Sequence, residues 1–330
     1  MASRWNNTEA RVRPHLLILR YGYYGKESAQ PSTEKFHLDE TLLDSGLASF
    51  TVKTYEAFWP QPIADFQFLR ICIKERPEAL VVSSWSDSGN QPSSMALNLA
   101  RQQFGIRVLF FWWDTCSTGF IQHYARYFRC GDAHIILDNP CLHHLDEMTV
   151  GNRKVIPMWT PQTPRLFQNS ATKDIDLAFL GQVSSYRSYR VEVVEHLKSI
   201  LTNVKLYFST SDRASQPTHA EYAAILSRAK MSVNFSYSVE GHQLKGRVFD
   251  VMLSGGLLFE SENEQISKLF CPMKDYVPFS SKEDLVAKIK YFLLHEDQLN
   301  WIARNGRAKV IKKYGPAAFW KKVLGEAGCI

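Results

Sequence analysis

Short apolar runs rich in β-branched and aromatic residues recur along the chain, and between them apolar residues return every three or four positions. The first pattern predicts strands and the second amphipathic helices. In the first half, "HLLILRYG", "SFTVKTYEAF", "ALVVSSW", "RVLFFWWD" and "AHIILD" read as strands. Helices are predicted from about Thr33 to Ser45, with Phe36, Leu38, Leu42 and Leu43 as the apolar stripe and Gly46 as the stop, and from about Ile63 to Arg76, ended by Pro77. Two more are predicted from about Ser94 to Phe104 and from about Phe120 to Arg129. "RVLFFWWD" is apolar at nearly every position, so both of its faces must be covered, as in a central parallel strand. The alternation is that of βαβ units in a doubly wound sheet.

"VIPMWTPQTPRLFQNSATKD" interrupts this rhythm with Pro157, Pro161 and Pro164 and carries no period of its own, which predicts an interdomain linker. The alternation then restarts. "IDLAFLG", "VKLYFS", "MSVNFSY" and "GLLFES" are strands; "YRSYRVEVVEHLKSIL", "HAEYAAILSRAK", a short segment from about Lys245, and the stretches 282–294 and 296–313 are helices, followed by the tail "GPAAFWKKVL". The fold class is therefore α/β, with two Rossmann-like doubly wound domains facing a cleft, residues 1–165 and 166–330.

Composition fits two packed cores: 330 residues, 45% of them apolar and 13% aromatic. The six cysteines form no CxxC pair, which predicts reduced, mostly buried thiols. "LLIL" is too short for a signal-peptide core and no run approaches the ~20 apolar residues of a spanning helix, so a cytoplasmic protein is expected. The net charge is +6. Its excess gathers between Arg304 and Lys322, where seven Lys or Arg occur without an acid. This is a solvated basic helix face or a surface for an anionic partner, membrane lipid or nucleic acid.

Several chemistries are excluded. "YGYYGKES" is neither GxGxxG nor a Walker A loop, and no GxSxG or HExxH occurs. Cys141, His143 and His144 in "CLHHLDE" lack a second ligand cluster, so no metal site is expected. Ligands of open parallel sheets bind at the carboxyl ends of the strands, so residues just after strands are the candidates. Arg187 and Arg190 open a helix, where cations oppose the macrodipole unless an anion sits between them and the free N–H groups. In "SYSVEGHQLKGRVFDVMLSGGLLFES" an i,i+3 ion pair between Arg247 and Asp250 leaves Glu240 and Lys245 unexplained. As a group, the two carboxylates can accept from vicinal sugar hydroxyls, and the Lys and Arg can balance a diphosphate without a metal.

The pieces "DLAFLGQVSSYRSYRVEVVEHL", "EYAAILSRAKMSVNFS", "KGRVFDVMLSGGLLFES" and "YVPFSSKEDLVAKIKYFLLHEDQLNWIARNGRAKVIKKYG" resemble, in order and spacing, the nucleotide-binding domain of GT-B glycosyltransferases, in particular the CgeB-like members of glycosyltransferase group 1. The resemblance implies a metal-independent, hexosyltransferase-like enzyme that needs no cofactor beyond a nucleotide-diphosphate sugar as donor substrate. It places Glu240, followed by Gly241, on the donor sugar and Asp250 on the ribose. The second acid is Asp rather than Glu, and nine residues separate the pair where the family has seven. Arg187 or Arg190 and Lys245 or Arg247 would face the diphosphate, and Gly181 would let the backbone approach it. The N-terminal domain would supply the acceptor site, with Asp114 at the end of "LFFWWD" as candidate base and Tyr23, Tyr24 and Trp85 as stacking surfaces. The last helix is a candidate to pack back on that domain. The implied acceptor is a glycan, a lipid-linked glycan or modified DNA, with peripheral membrane contact through the basic C-terminal segment as a further expectation. The other class of reading is a non-catalytic nucleotide-sugar or carbohydrate-binding coat or assembly protein of the same fold.

Overall fold

A computed structural model describes residues 13–23, 30–87, 89–113, 115, 125–137, 154–170, 172–181, 183, 187–208, 217–238 and 241–330. In the first strand, β1 (His15–Arg20), successive side chains point to opposite faces: Leu16 and Ile18 join one core, Leu17 and Leu19 another. The same division holds in β3 (Ala79–Ser83) and β4 (Arg107–Trp112), as expected for strands buried on both sides. With β2 (Ser49–Thr54), β5 (Ala133–Ile136) and β6 (Lys154–Pro157) they form a parallel six-stranded sheet of order β2-β1-β3-β4-β5-β6. A π-helical stretch, Lys35–Glu40, runs into α1 (Thr41–Ser45), and α2 (Ile63–Glu75) and α3 (Ser94–Phe104) are the next crossovers. Helix α3 begins where the Ser93 side chain accepts from the Ala96 N–H, and it stops at Gly105, whose φ of 67° suits glycine.

The second sheet contains β7 (Ile175–Phe179), β8 (Leu206–Phe208), β9 (Ala229–Asn234), β12 (Leu257–Ser261) and β13 (Val277–Phe279). It is parallel throughout, in the order β13-β12-β9-β7-β8. Between β9 and β12 a two-residue pair, β10 (Tyr237–Ser238) and β11 (Gly241–His242), forms a small antiparallel ribbon. The helices are α4 (Ser188–Ile200), α5 (His219–Arg228), α6 (Gly246–Leu253), α7 (Glu264–Ser267), α8 (Lys282–Leu294), α9 (Glu296–Lys313) and α10 (Pro316–Glu326). A capping box, Thr218 with Glu221, starts α5.

In both sheets the second strand lies outside the first and the third inside it. The connection reverses between β1 and β3 and again between β7 and β9. A crevice opens at the carboxyl ends of strands at such a reversal, because the two flanking crossovers leave on opposite faces.

The structure sharpens the reading of three segments. The proline-rich stretch joins the two sheets as a packed connection. Its start is the edge strand β6, and Met158, Thr160, Gln162, Thr163 and Phe167 are buried at the junction of the two sheets. Pro157 suits this edge position because its missing N–H removes no central ladder bond. The helix expected over 120–129 is a 3-10 turn at Ala125–Cys130, and residues 116–124 lie outside the described set. The last helix, α10, packs back on the first half, where it buries Phe319, Trp320, Val323 and Leu324 in the core of the first sheet. Cys72 and Cys130 are buried and Cys329 half-buried, but Cys271 is exposed; Cys116 and Cys141 lie outside the described residues. Among the described residues no helix is long and apolar enough to cross a membrane, and no His, Cys, Asp or Glu group has metal-ligating geometry.

At the junction, Phe36 from the first half stacks on His219 from the second, with ring centroids 4.1 Å apart. His37 lies 6.2 Å from the same imidazole and its Nδ1 is 3.0 Å from the Pro161 carbonyl. Burial holds both histidines down to about 4, and the His37 charge lowers His219 further. An unfolded histidine titrates at about 6.5, so the unfolded chain takes up protons first and stability falls as the pH drops from about 6.5 to about 4. Two buried acids of the second half, Asp250 in α6 and Glu260 in β12, are raised to about 7 and oppose this, because the folded chain binds their protons more tightly. The wild-type profile is therefore expected to be shallow between pH 5 and 7. In His37→Asn/His219→Gln the histidine contribution, about 2 kcal/mol per residue at pH 5, disappears. Melting curves should then show Tm at pH 5 rising relative to pH 7 by several degrees over the wild type; an unaltered difference would refute the assignment.

Candidate donor site at the switch point of the second sheet

Strands β7 and β9 deliver the first residues of the site. After β7 the chain reaches Gly181, where an added Cβ would lie 2.8 Å from Arg247 Nη2 and 2.9 Å from the Phe179 ring. No side chain larger than hydrogen fits without moving that guanidinium. Arg247 comes from the first turn of α6, a helix that starts at Lys245 in extended backbone and buries Val248, Phe249, Val251 and Met252 behind the sheet. Its guanidinium carbon lies 5.6 Å from the centre of the Phe179 ring, and Nη1 donates to Asn234 Oδ1 at 2.7 Å. Its Nε is buried without a hydrogen-bond partner.

One turn further along α6, Asp250 is 7% exposed. Tyr222 from α5 donates its hydroxyl to Asp250 Oδ2 at 2.8 Å, while Oδ1 is buried with no partner. Burial raises this carboxyl to about 7, and the Tyr222 hydroxyl and the Arg247 charge offset only part of that. An acceptor oxygen and a donor nitrogen thus stand unsatisfied within one cluster. Buried polar atoms in this condition normally have a ligand or water as their partner.

Glu260, at the end of β12, completes the floor. It is fully buried; Oε2 accepts from Asn234 Nδ2 at 2.6 Å and Oε1 from the Ser236 backbone N–H at 3.1 Å. Burial raises it to about 7 against these bonds and the Arg247 charge.

The structure therefore brings Gly181, Arg247 and Asp250 together. Lys245 and Arg187 are half-buried at the starts of α6 and α4, and Gly241 lies in β11. Arg190 departs from the expectation of a cleft-facing cation. It is 7% exposed, its guanidinium lies 5.7 Å from the centres of both the Phe179 and Phe235 rings, and Nη2 donates to the Phe235 carbonyl at 3.2 Å. It braces the turn after β9. Asp114, Glu240 and Tyr24 lie outside the described residues.

On the first sheet, Trp85 is no stacking surface. It is 1% exposed in the core, tilted against Phe110, and its indole N–H donates to the Pro92 carbonyl at 2.9 Å. Tyr23 is exposed beside the carboxyl end of β1. The β1/β3 reversal is instead spanned by Glu34, which the sequence reading missed. Its Oε2 accepts from the Tyr21 N–H at 3.0 Å and its Oε1 from the Ser83 and Ser84 hydroxyls. Burial raises its carboxyl above the ordinary value. Ser84 sits at φ 50°, a strained region for a non-glycine residue.

Comparisons with known proteins follow the same division of the chain. Residues 165–325 match a family model described as glycosyl transferase-like. No curated protein matches the chain in sequence. Among solved structures, HepE of Anabaena in complex with UDP-glucose is 10% identical with a TM-score of 0.60, over 96% of this chain and 100% of that one. Sucrose-phosphate synthase of Thermosynechococcus elongatus is 12% identical with a TM-score of 0.61, over 96% and 98% of the two chains. A glycosyltransferase of Rickettsia africae is 9% identical with a TM-score of 0.60, over 96% and 98%. The whole chain thus has the two-sheet GT-B fold, and its residues 165–325 carry a glycosyl transferase-like sequence.

Proposed function

We propose that this chain is a glycosyltransferase that moves a hexose from a nucleoside-diphosphate sugar to an acceptor hydroxyl. The observation that carries this reading is the cluster at the β7/β9 reversal, where the Arg247 guanidinium lies on Gly181 beside the unpartnered Oδ1 of Asp250. In this reading Arg247 holds the diphosphate with Lys245 and Arg187, Asp250 accepts from ribose hydroxyls, and Glu240 with Gly241 contacts the donor sugar. Fixed cations then stabilise the departing nucleoside diphosphate as the bond from the sugar to phosphate breaks and the bond to the acceptor oxygen forms. No metal is required for that charge balance.

The acceptor binds on the first half, with Asp114 as the base that takes the hydroxyl proton and Tyr23 and Tyr24 as stacking surfaces. A lipid-linked or other glycan is the acceptor class, in a CgeB-like cytoplasmic enzyme whose basic segment 304–322 rests against anionic lipid. Modified DNA is the competing acceptor, recognised by steep loss of activity with salt. The donor is read by a thermal-shift screen of UDP, GDP, ADP, TDP and CMP sugars. One selective stabilisation of several degrees is expected. Stabilisation by none of them removes the reading. Stabilisation with neither hydrolysis nor transfer converts it to a sugar-nucleotide-binding protein of this fold.

A further inference from the structure

We infer that Glu260 and Asn234 are positioning residues for Arg247, forming a buried relay in which a carboxylate fixes the orientation of an amide and the amide fixes the guanidinium. The inference rests on the reading above that Arg247 meets the donor diphosphate. Asn234 and Glu260 are register partners at the carboxyl edges of the parallel neighbours β9 and β12, and neither has exposed surface. The Asn234 amide is held at both ends. Its Nδ2 donates to Glu260 Oε2 at 2.6 Å and to Ser236 Oγ at 3.1 Å; its Oδ1 accepts from Arg247 Nη1 at 2.7 Å.

An ionised carboxylate only accepts and a guanidinium only donates. Above about pH 7, where Glu260 is ionised, the amide beside it has one orientation that satisfies it, and that orientation turns its oxygen to Arg247. Ser236 reinforces this by giving its own backbone N–H to Glu260 Oε1. The Arg247 side chain, stacked on Phe179 at one face, is thereby held at its Nη1 edge, leaving Nη2 on Gly181. A glutamine at position 260 presents a donor as readily as an acceptor. The Asn234 amide can then turn over and direct N–H groups at Arg247, which releases the guanidinium from its place.

The test is isothermal titration with inorganic pyrophosphate, which needs no knowledge of the base or sugar, on wild type, Glu260→Gln, Asn234→Ala, Arg247→Ala and the double variants with Arg247→Ala. Melting curves show which variants fold, and either relay variant suffices. Glu260→Gln and Asn234→Ala are each expected to weaken pyrophosphate binding about tenfold, and to add nothing once Arg247 is absent. If Arg247→Ala weakens binding while both relay variants bind as wild type does, the relay is refuted and the donor site stands. If the relay variants weaken binding equally in the Arg247→Ala background, their effect is general damage and the relay is again refuted. If wild type and Arg247→Ala bind alike, the donor reading fails and the relay with it.

Discussion

Arg247→Ala is expected to lower kcat/KM for the nucleoside-diphosphate sugar by about 100-fold, the size of effect seen when one fixed donor is removed from a developing anion. The geometry explains why Arg190 does not replace it. Arg190, the nearest other guanidinium on the Phe179 ring, is committed to the Phe235 carbonyl and the Phe235 ring. Stability should suffer far less than activity. Removing the cation leaves Asp250 and Glu260 without its field, but both carboxyls already stand near 7 and can meet the loss by taking up a proton. Arg247→Lys should recover little, because a lysine cannot keep a planar contact with Phe179 and a bond to Asn234 Oδ1 at once. Steady-state kinetics with donor varied, alongside melting curves, check this. Retention of more than about a third of wild-type kcat/KM in Arg247→Ala would refute the role.

Much of this architecture is visible in the sequence because parallel strands buried on both faces leave few polar positions. "HLLIL", "ALVVS" and "VLFFW" are such runs, and the residues that follow them fall at the carboxyl edge whatever the details of packing. Arg247 and Asp250 stood out by the crowding of charge in the segment after β9, and Gly181 through the family resemblance alone. What spacing does not carry is the direction of a side chain at that edge. Arg190 and Trp85 both follow strands, yet both turn inward, one between rings from β7 and the turn after β9, the other onto Phe110. Those aromatic partners are distant in sequence, and no local pattern pairs them. The relay was legible in a weaker sense: "SVN" and "LLFE" are apolar strands that end on a polar residue, which is costly unless that residue has partners. Glu34 had no such signal, since it precedes the helix of the first crossover and looks like an ordinary first-turn acid.

The last helix shows the same limit at the level of packing, and it predicts the largest change in stability. In "PAAFWKKVL" the apolar positions Phe319, Trp320, Val323 and Leu324 mark a helical stripe, and the family resemblance rather than the stripe itself pointed to the first half as its place. It covers the first, after a chain path that has built the whole of the second. Trp320 is fully buried, 5.7 Å from the Phe111 ring centre, and its indole N–H donates to Thr41 Oγ1 at 3.0 Å in α1. Trp320→Ala removes that bond and leaves a cavity between α10, α1 and the sheet, at a cost of about 3–5 kcal/mol. In a chain of 330 residues a loss of that order lowers Tm by roughly 4–7 °C. Trp320→Phe keeps most of the buried ring and should lose roughly a third as much, chiefly the hydrogen bond and a smaller void. Because α10 is the last element and lies on the opposite half from the Arg247 cluster, the folded fraction of Trp320→Ala should bind the donor as wild type does. A Tm loss under about 2 °C would show that the packing of Trp320 on the first sheet contributes little, whereas a large loss with unchanged donor affinity would separate the residues that build this fold from those that work in it.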